Sequence, residues 1–551
     1  MKKYAIGVDF GSLSGRAVLV DISDGTILTS AVREYAHAIM DHSLPGGKTL
    51  PPDWSLHHPA DYLEVLERII PEVLGTSGVS ADQVLSVGVD CTASSVLPVT
   101  KEGVPLCFLP GFADEPHAYI HLWKHHAAQP YADRMTQKAK ERGEKWLDAY
   151  GGKVSSECSL PKLWQMLDEA PQVYDQTAYW IEAADWIVWQ LCGKPMISEC
   201  CAGYKYLYCS PEGYPSEEYF ASLDPRLTHI IRDKCSMPVA PVFSKAGELT
   251  EDMSRRLGLN PGIAVAVSLV DAHACVPAAG ITRPGEMVMI LGTSACLMTC
   301  GETCRSVPGC YSVKDGIIPG LWCYEGGQNS VGDLIAWMIQ NFVPGRVQQE
   351  ARDKSISVHE YLTGLASQKQ PGESGLLALD WFNGNRSILM DSGLTGMIMG
   401  LTLRTAPEDI YRALAEAAAY GARMIIESFR ENGLTVDKLL VTGGISQKNK
   451  MMMQIYADVM GRDVLVVDRD QTGSVGSAIM GAAAAGEGFS SLAELTEKYA
   501  MPFSTVYRPD PGSSAVYERL YRAYCDMYSF FGEKDSLLHR LKDIRKEARG
   551  N

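Results

Sequence analysis

The sequence predicts an α/β fold of two related lobes, and three observations carry that reading. Each half of the chain opens with a short apolar strand, a turn of small residues and a second strand: residues 4–9, 11–15 and 16–22, then 287–291, Gly292-Thr293-Ser294 and 295–299. After each hairpin come an amphipathic helix and a further apolar strand, residues 59–74 with 84–90, and 407–429 with 438–444. Finally, a chain of 551 residues exceeds what one hydrophobic core organises, which makes two large domains the expectation.

Taken in order, residues 4–9 and 16–22 read as strands because the first is apolar and the second alternates. Residues 59–74 read as a helix because Leu63, Leu66, Ile70 and Val73 recur at helical spacing behind an early proline. In the second half Ile410, Leu414, Ala418, Ile425 and Phe429 repeat that spacing. The two halves share pattern rather than residue identity. The lobe boundary is placed at residues 278–285, AAGITRPG, where glycine and proline cluster. Residues 105–235 and 302–385 interrupt the two repeats and are expected as helical and loop elaborations, able to build a substrate pocket. The tail, residues 517–550, is charged and is expected as a solvated terminal helix.

Fifty Lys+Arg against 66 Asp+Glu give a net charge of -16. With a pI near 5.3 and a mean hydropathy of -0.07, the chain lacks the basic surface of a general nucleic-acid or membrane-surface binder. The apolar run behind the two N-terminal lysines stops at Asp9, too short for a signal peptide, and no stretch reaches membrane-spanning length. Fifteen cysteines at this length are read as reduced thiols of a cytoplasmic protein. Cys296, Cys300, Cys304 and Cys310 lack a CxxC knuckle, and Cys200-Cys201 is read as packing.

The chain contains no P-loop, no dinucleotide fingerprint, no HExxH and no GxSxG. Instead, Asp9-Phe10-Gly11-Ser12-Leu13-Ser14-Gly15-Arg16 places glycines, two hydroxyls and a cation between two strands. Such a turn lets amides converge on an anion, while the aspartate closing the strand suits Mg2+ held through water. A plain Gly-Ser hairpin remains the alternative; the Gly292-Thr293-Ser294 turn favours a pair of loops clasping a polyphosphate. Asp271 ends an apolar run, where it can accept a hydroxyl proton or cap the following helix, and its position leaves both open. Lys205 sits in a turn-rich aromatic stretch and Glu325 precedes two glycines; both also suit an exposed surface. Asp90, Thr92 and Ala93 follow a strand as pocket candidates, and most tryptophans among Trp123, Trp164, Trp186 and Trp189 read as core.

The two small-residue turns and Thr442-Gly443-Gly444 resemble the actin/Hsp70/sugar-kinase ATPase architecture, a ribonuclease H-like fold with an interlobe cleft. Within it the chain resembles the FGGY carbohydrate kinases over roughly residues 4–490. Residues 396–401 with Asp409, Ile410 and Ala413 are similar to the C-terminal family signature, departing at Leu414 and Ala415. Residues 159–164 are similar to the N-terminal one, with Trp164 one position early. Residues 202–205, 271–274, 324–333 and 122–124 look like segments of the family's L-ribulose-phosphorylating branch, with His125 where an aspartate is expected. The resemblance implies ATP and Mg2+ as cofactors, L-ribulose as the small-molecule partner and a place in arabinose catabolism. It implies Asp271 as general base, with Lys205, Glu325, Thr92 and Ala93 on the sugar. It implies Gly11, Ser12, Ser14, Arg16, Gly292 and Thr293 around the phosphates, Gly443, Gly444 and Asn449 on the nucleoside, and Asp9 at the metal. Residues 1–280 form the first lobe on this reading, 281–490 the second and 491–551 a helical extension. A homodimer is the base-rate assembly. Kinases for another pentulose or polyol, and a non-catalytic sugar sensor, are the competing readings. A chaperone ATPase would need a peptide-binding β-domain that a helical tail does not supply.

Overall fold

The first-lobe sheet is built outward from the strand Tyr4–Phe10, buried along its whole length. It pairs antiparallel with Ser14–Asp21, which pairs antiparallel with Ile27–Glu34, and parallel with Val84–Cys91 on its other side. Ala264–Ala266 and Lys245–Glu248 extend that side, and Leu269–Val270 runs parallel to the end of Val84–Cys91. The register sets Asp9 beside Arg16 on one neighbour and beside Asp90 on the other. The structure, a computed structural model, describes residues 2–467, 471–486, 492–500, 502–532 and 537–549.

The second sheet repeats this plan. Gly285–Leu291 pairs antiparallel with Ala295–Gly301, which pairs antiparallel with Trp322–Gln328, and Val436–Thr442 lies parallel on the other side. Tyr311–Lys314 closes one edge, while Val464–Val467 and Phe503–Tyr507 extend the other. The matching helices are Pro59–Ser77 and Pro407–Glu431, each with proline in the first turn, where its missing N–H costs nothing. Residues 302–385 thus differ from their expectation, because two strands of the main sheet lie inside them. Alternation in residues 311–314 is too short to stand out from loop sequence. Residues 105–235 hold the expected helices, such as Ser159–Glu169, Ala183–Cys192 and Glu199–Lys205, but also short strands: Ile120–His121 and Tyr179–Glu182 join Leu56–His57 and Val96–Val99 in a small sheet, and Ile197–Ser198 pairs with Val239–Ala240.

Two apolar cores follow, one under each sheet. The helix Thr472–Ala485 follows the second sheet in sequence yet packs on the first, bringing Val475, Ala478, Ile479 and Met480 into the first core. Glycine makes this seat possible. A Cβ at Gly7 would lie 1.8 Å from the Ser474 carbonyl oxygen, and one at Gly88 would lie 1.9 Å from that of Ser477. The tail differs from a solvated helix. Pro511–Gly532 buries Tyr517, Tyr521, Tyr524 and Tyr528, a 4-3-4 stripe, against the second lobe. A second helix, Leu537–Arg549, follows; Gly550, the end of the expected tail helix, lies outside the described residues. No helix among the described residues is long and apolar enough to cross a membrane. All fifteen cysteines are free.

Candidate active site

A cavity of about 640 Å3 opens where the two hairpin turns meet, within the size range of small-molecule sites. Its lining takes Asp9, Gly11, Ser12 and Arg16 from the first turn, and Gly292, Thr293 and Ser294 from the second. Thr92, Ala93, Asp271, Glu325, Gly443 and Gly444 complete most of the set expected from sequence. The turns are built alike: the Gly11 amide donates to the Ser14 carbonyl at 3.0 Å, and the Gly292 amide to the Ser294 carbonyl at 2.9 Å. Gly443 holds φ 100°, and a Cβ there would stand 2.3 Å from the Leu291 carbonyl oxygen. Only glycine fits this junction between Val436–Thr442 and the short helix Gly444–Lys448.

Three carboxyls share the first-lobe wall. The Arg16 guanidinium stands 3.5 Å from Asp9, and the Ser477 hydroxyl donates to Asp90 across the lobe seam. Burial raises the Asp9 carboxyl above its ordinary range, with Arg16 opposing. Burial and then the Asp9 charge push Asp90 far higher, and its Oδ1 is buried without a hydrogen-bond partner among the described residues. Burial, then Asp9, push Asp271 up to about 7. The Asp9 carboxyl, next to Asp90 in the sheet register and lining the same cavity as Asp271, offers the hard oxygen donor that a divalent cation takes, so Asp9 fits Mg2+ held largely through water.

Asp271 is the first residue of the helix Asp271–Ala278, with Val270 at the cap position. Its Oδ1 accepts from the Ala272 amide at 2.7 Å, and Asp271 lines the cavity. The helix-cap role open from sequence is thus not taken by Asp271, because Val270 holds the cap position.

Lys205 and Glu325, expected on the sugar, sit in a buried charge cluster. Lys205 is fully buried; its Nζ lies 3.8 Å from Glu157, has no hydrogen-bond partner among the described residues, and sits 5.1 Å from the Tyr311 ring centroid. Glu325 accepts from the Arg386 guanidinium and, at 3.2 Å, from His273 Nε2. Burial would raise the Glu325 carboxyl, but Lys205 and Arg386 outweigh it and hold it well below the carboxylate range. Those same anions outweigh burial at Lys205 and raise its ammonium. Burial lowers His273, whose neutral ring accepts at Nδ1 from the Cys200 thiol, 3.1 Å away, leaving the Nε2 proton for Glu325. Cys200 thus orients a site residue besides filling space.

Some expected residues lie elsewhere. Ser14 and Lys205 do not line the cavity, although Lys205 joins the Glu325 cluster behind it. Asn449 caps the helix Lys450–Met460, accepting from the Met452 amide at 3.1 Å and donating to the Tyr411 hydroxyl. His125 is buried among Trp54, His121 and Gln165 and has left the pocket for the core. Trp123 does line the cavity, its indole N–H 3.4 Å from the Ser12 hydroxyl, whereas Trp164 and Trp186 are core. Sequence reasoning missed Glu157 and Arg386, which also line the cavity, whereas the glycines from Gly473 to Gly481 read from sequence as a site of close helix packing beside the nucleotide. The turn-rich Asn383-Gly384-Asn385 just before Arg386 was the available signal.

The chain matches the FGGY family of carbohydrate kinases, N-terminal domain, over residues 4–276, and the C-terminal domain over residues 287–485. It is 47% identical to the ribulokinase of Geobacillus thermodenitrificans (strain NG80-2) over 554 residues, spanning 100% of this chain and 98% of that protein. It is 49% identical to the ribulokinase of Bacillus licheniformis over 538 residues, spanning 97% and 98%. Its fold matches xylulose kinase from Rhodospirillum rubrum at a TM-score of 0.75 and 24% identity, covering 96% of this chain and 98% of that one. Plasmodium falciparum glycerol kinase with ADP matches at a TM-score of 0.75 and 16% identity, with the same coverage. The chain belongs to the FGGY family of carbohydrate kinases.

Proposed function

We propose that this kinase transfers the γ-phosphoryl group of ATP to the terminal hydroxyl of L-ribulose, giving L-ribulose 5-phosphate. The reading rests on one observation above the rest: the turns of both lobes and the Asp271 carboxyl line a single cavity. The sugar is taken from the ribulokinases that are nearly half identical along the whole chain.

The phosphates lie between the two turns, where closely approaching glycine backbone and Arg16 meet the charge that develops during transfer. The nucleoside lies toward Gly443 and Gly444. Asp271 takes the proton from the attacking hydroxyl as the new P–O bond forms and ADP leaves. Mg2+, held near Asp9, would neutralise phosphate charge when bound. Lys205, Glu325, Thr92 and Ala93 hold the sugar, the orphan Lys205 ammonium being suited to a hydroxyl or carbonyl oxygen. Closure of the lobes excludes water, which otherwise takes the phosphoryl group. On this reading residues 1–280 and 281–490 are the lobes and 491–551 the extension, the helix Thr472–Ala485 belonging to the second by sequence and packing on the first.

Coupled ADP release with Mg-ATP, measured over L-ribulose, D-ribulose, xylulose, ribitol and glycerol with a no-sugar control, tests this. Turnover strongest on L-ribulose is expected. Preference for another sugar would overturn the substrate and keep the kinase, and ADP release indifferent to sugar would overturn both.

A further inference from the structure

We propose that Arg386 is a sugar-site residue of this kinase, and that the C-terminal helix Pro511–Gly532 holds it in place through Tyr528. The proposal rests on the reading of the cleft as a sugar-kinase site.

Arg386 lines the 640 Å3 cavity and also a second, larger one of about 940 Å3. Glu157, Glu325 and Asn329 line both as well, so the two spaces meet at this cluster. The guanidinium donates to Glu325 through Nη2, lies 3.6 Å from Glu157 and donates through Nη1 to the Cys296 thiol at 3.4 Å. A guanidinium carries five N–H donors, so several are left for a ligand oxygen in the cavities it lines. The charges balance in pairs, Lys205 and Arg386 against Glu157 and Glu325, around a neutral His273. Removing Arg386 leaves two buried carboxylates with one ammonium. The carboxylate proposed to receive sugar hydroxyls then loses the guanidinium it shares with Glu157 and keeps, among the described residues, only His273 as a hydrogen-bond partner.

The segment carrying Arg386 is fastened on every side. The Ser387 amide donates to the Gly327 carbonyl at 3.1 Å and the Gly327 amide to the Ser387 hydroxyl at 3.0 Å, which fixes the segment to the strand bearing Glu325. On its outer side the buried Tyr528 hydroxyl accepts from Asn385 Nδ2 at 3.4 Å and from the Ile388 amide at 3.3 Å, one residue before Arg386 and two after it. One turn earlier, the Tyr524 hydroxyl donates to Asp380, which also accepts from Gln328 at 2.8 Å. From the first lobe, Lys153 Nζ donates to the Leu389 carbonyl at 2.7 Å. The helix therefore secures both partners of the Arg386–Glu325 pair, and the segment also spans to the opposite lobe. Tyr517, in the same helix, bonds instead to Arg412 and Glu416, and so supplies a control.

The experiment uses the full chain and measures KM and kcat for L-ribulose, KM for ATP, and melting temperature. Arg386→Met is expected to raise the sugar KM at least about 10-fold with the ATP KM within about twofold, as for loss of a hydrogen-bonded charge. Arg386→Lys should recover part of that loss. Tyr528→Phe should raise the sugar KM about threefold or more, while Tyr517→Phe lowers melting without moving it. A sugar KM unchanged in Arg386→Met and Arg386→Lys overturns the proposal for Arg386. Equal KM shifts in the two tyrosine variants overturn the positioning role of Tyr528. If the wild-type chain phosphorylates no ketose or polyol, the kinase reading itself fails and takes Arg386 with it.

Discussion

Asp271 offers the sharpest test of the chemistry. Burial and the Asp9 charge hold its carboxyl near 7, and kcat/KM reports the free enzyme, where that value applies. The base must be ionised to accept a proton. Activity from this group is therefore full above about pH 8 and falls roughly tenfold per unit below 7, leaving about one tenth at pH 6 and one hundredth at pH 5. Asp271→Asn keeps the acceptor for the Ala272 amide but cannot take the proton. Its turnover should fall at least about 100-fold, with sugar affinity kept within about tenfold and a flat pH profile between 5 and 8. Stability gives an independent sign. A carboxyl raised on folding from 3.8 stabilises the fold below pH 3.8, and that contribution is lost as pH rises through about 7. At pH 8 the neutral variant should thus melt no lower than the wild type. The assay is coupled ADP release at fixed ionic strength across pH 5–9, with calorimetric melting at pH 8. Near-normal turnover in Asp271→Asn, or an acid limb that persists in it, removes Asp271 from the base role.

Other substitutions separate the remaining roles. Lys205→Met leaves Glu157 and Glu325 with Arg386 as their one buried strong cation and should raise the sugar KM at least about tenfold, with the ATP KM little changed in steady-state kinetics. Asp9→Asn should raise the Mg2+ concentration for half-maximal rate, read by titrating Mg2+ at fixed ATP; an unchanged midpoint moves the metal elsewhere. Asn449→Ala removes a helix cap and should cost about 1 kcal/mol in urea or thermal unfolding, with the ATP KM within about threefold. A larger KM change without loss of stability would return Asn449 to the nucleotide. Gly88→Ala drives a methyl into the Ser477 carbonyl, a backbone atom that no rotamer change relieves, and should destabilise by about 3 kcal/mol in unfolding experiments.

What sequence disclosed and what it hid divide along a physical line. The hairpins were legible because a phosphate turn is local chemistry: Asp9 through Arg16 form one unbroken segment, and glycine and serine betray the turn without any partner. Asp271 was legible as a strand-end carboxylate but ambiguous, since choosing between proton acceptor and cap needs the helix start, which falls on Asp271 itself. Lys205 and Glu325 looked like surface residues until the family resemblance placed them. Arg386 had no such help, because its meaning lies in Glu325, Glu157 and Cys296, residues far away in the chain. Likewise Gly7 and Gly88 carry no signal in the strand pattern, and the helix Thr472–Ala485 lying across both explains them. That helix also ties the halves together. It carries Gly473 against Asp9, where a Cβ would stand 3.1 Å from the carboxylate, and Ser477 onto Asp90. Thr472 hydroxyl meets Thr442 hydroxyl at 2.7 Å on the second sheet. The helix thus touches both the second sheet and the carboxylates proposed to hold the metal, so a movement of the second lobe would reach them through it. On the proposed reading, closure over a bound sugar would assemble the phosphate site in the same step, which is what a kinase needs to spare ATP from water.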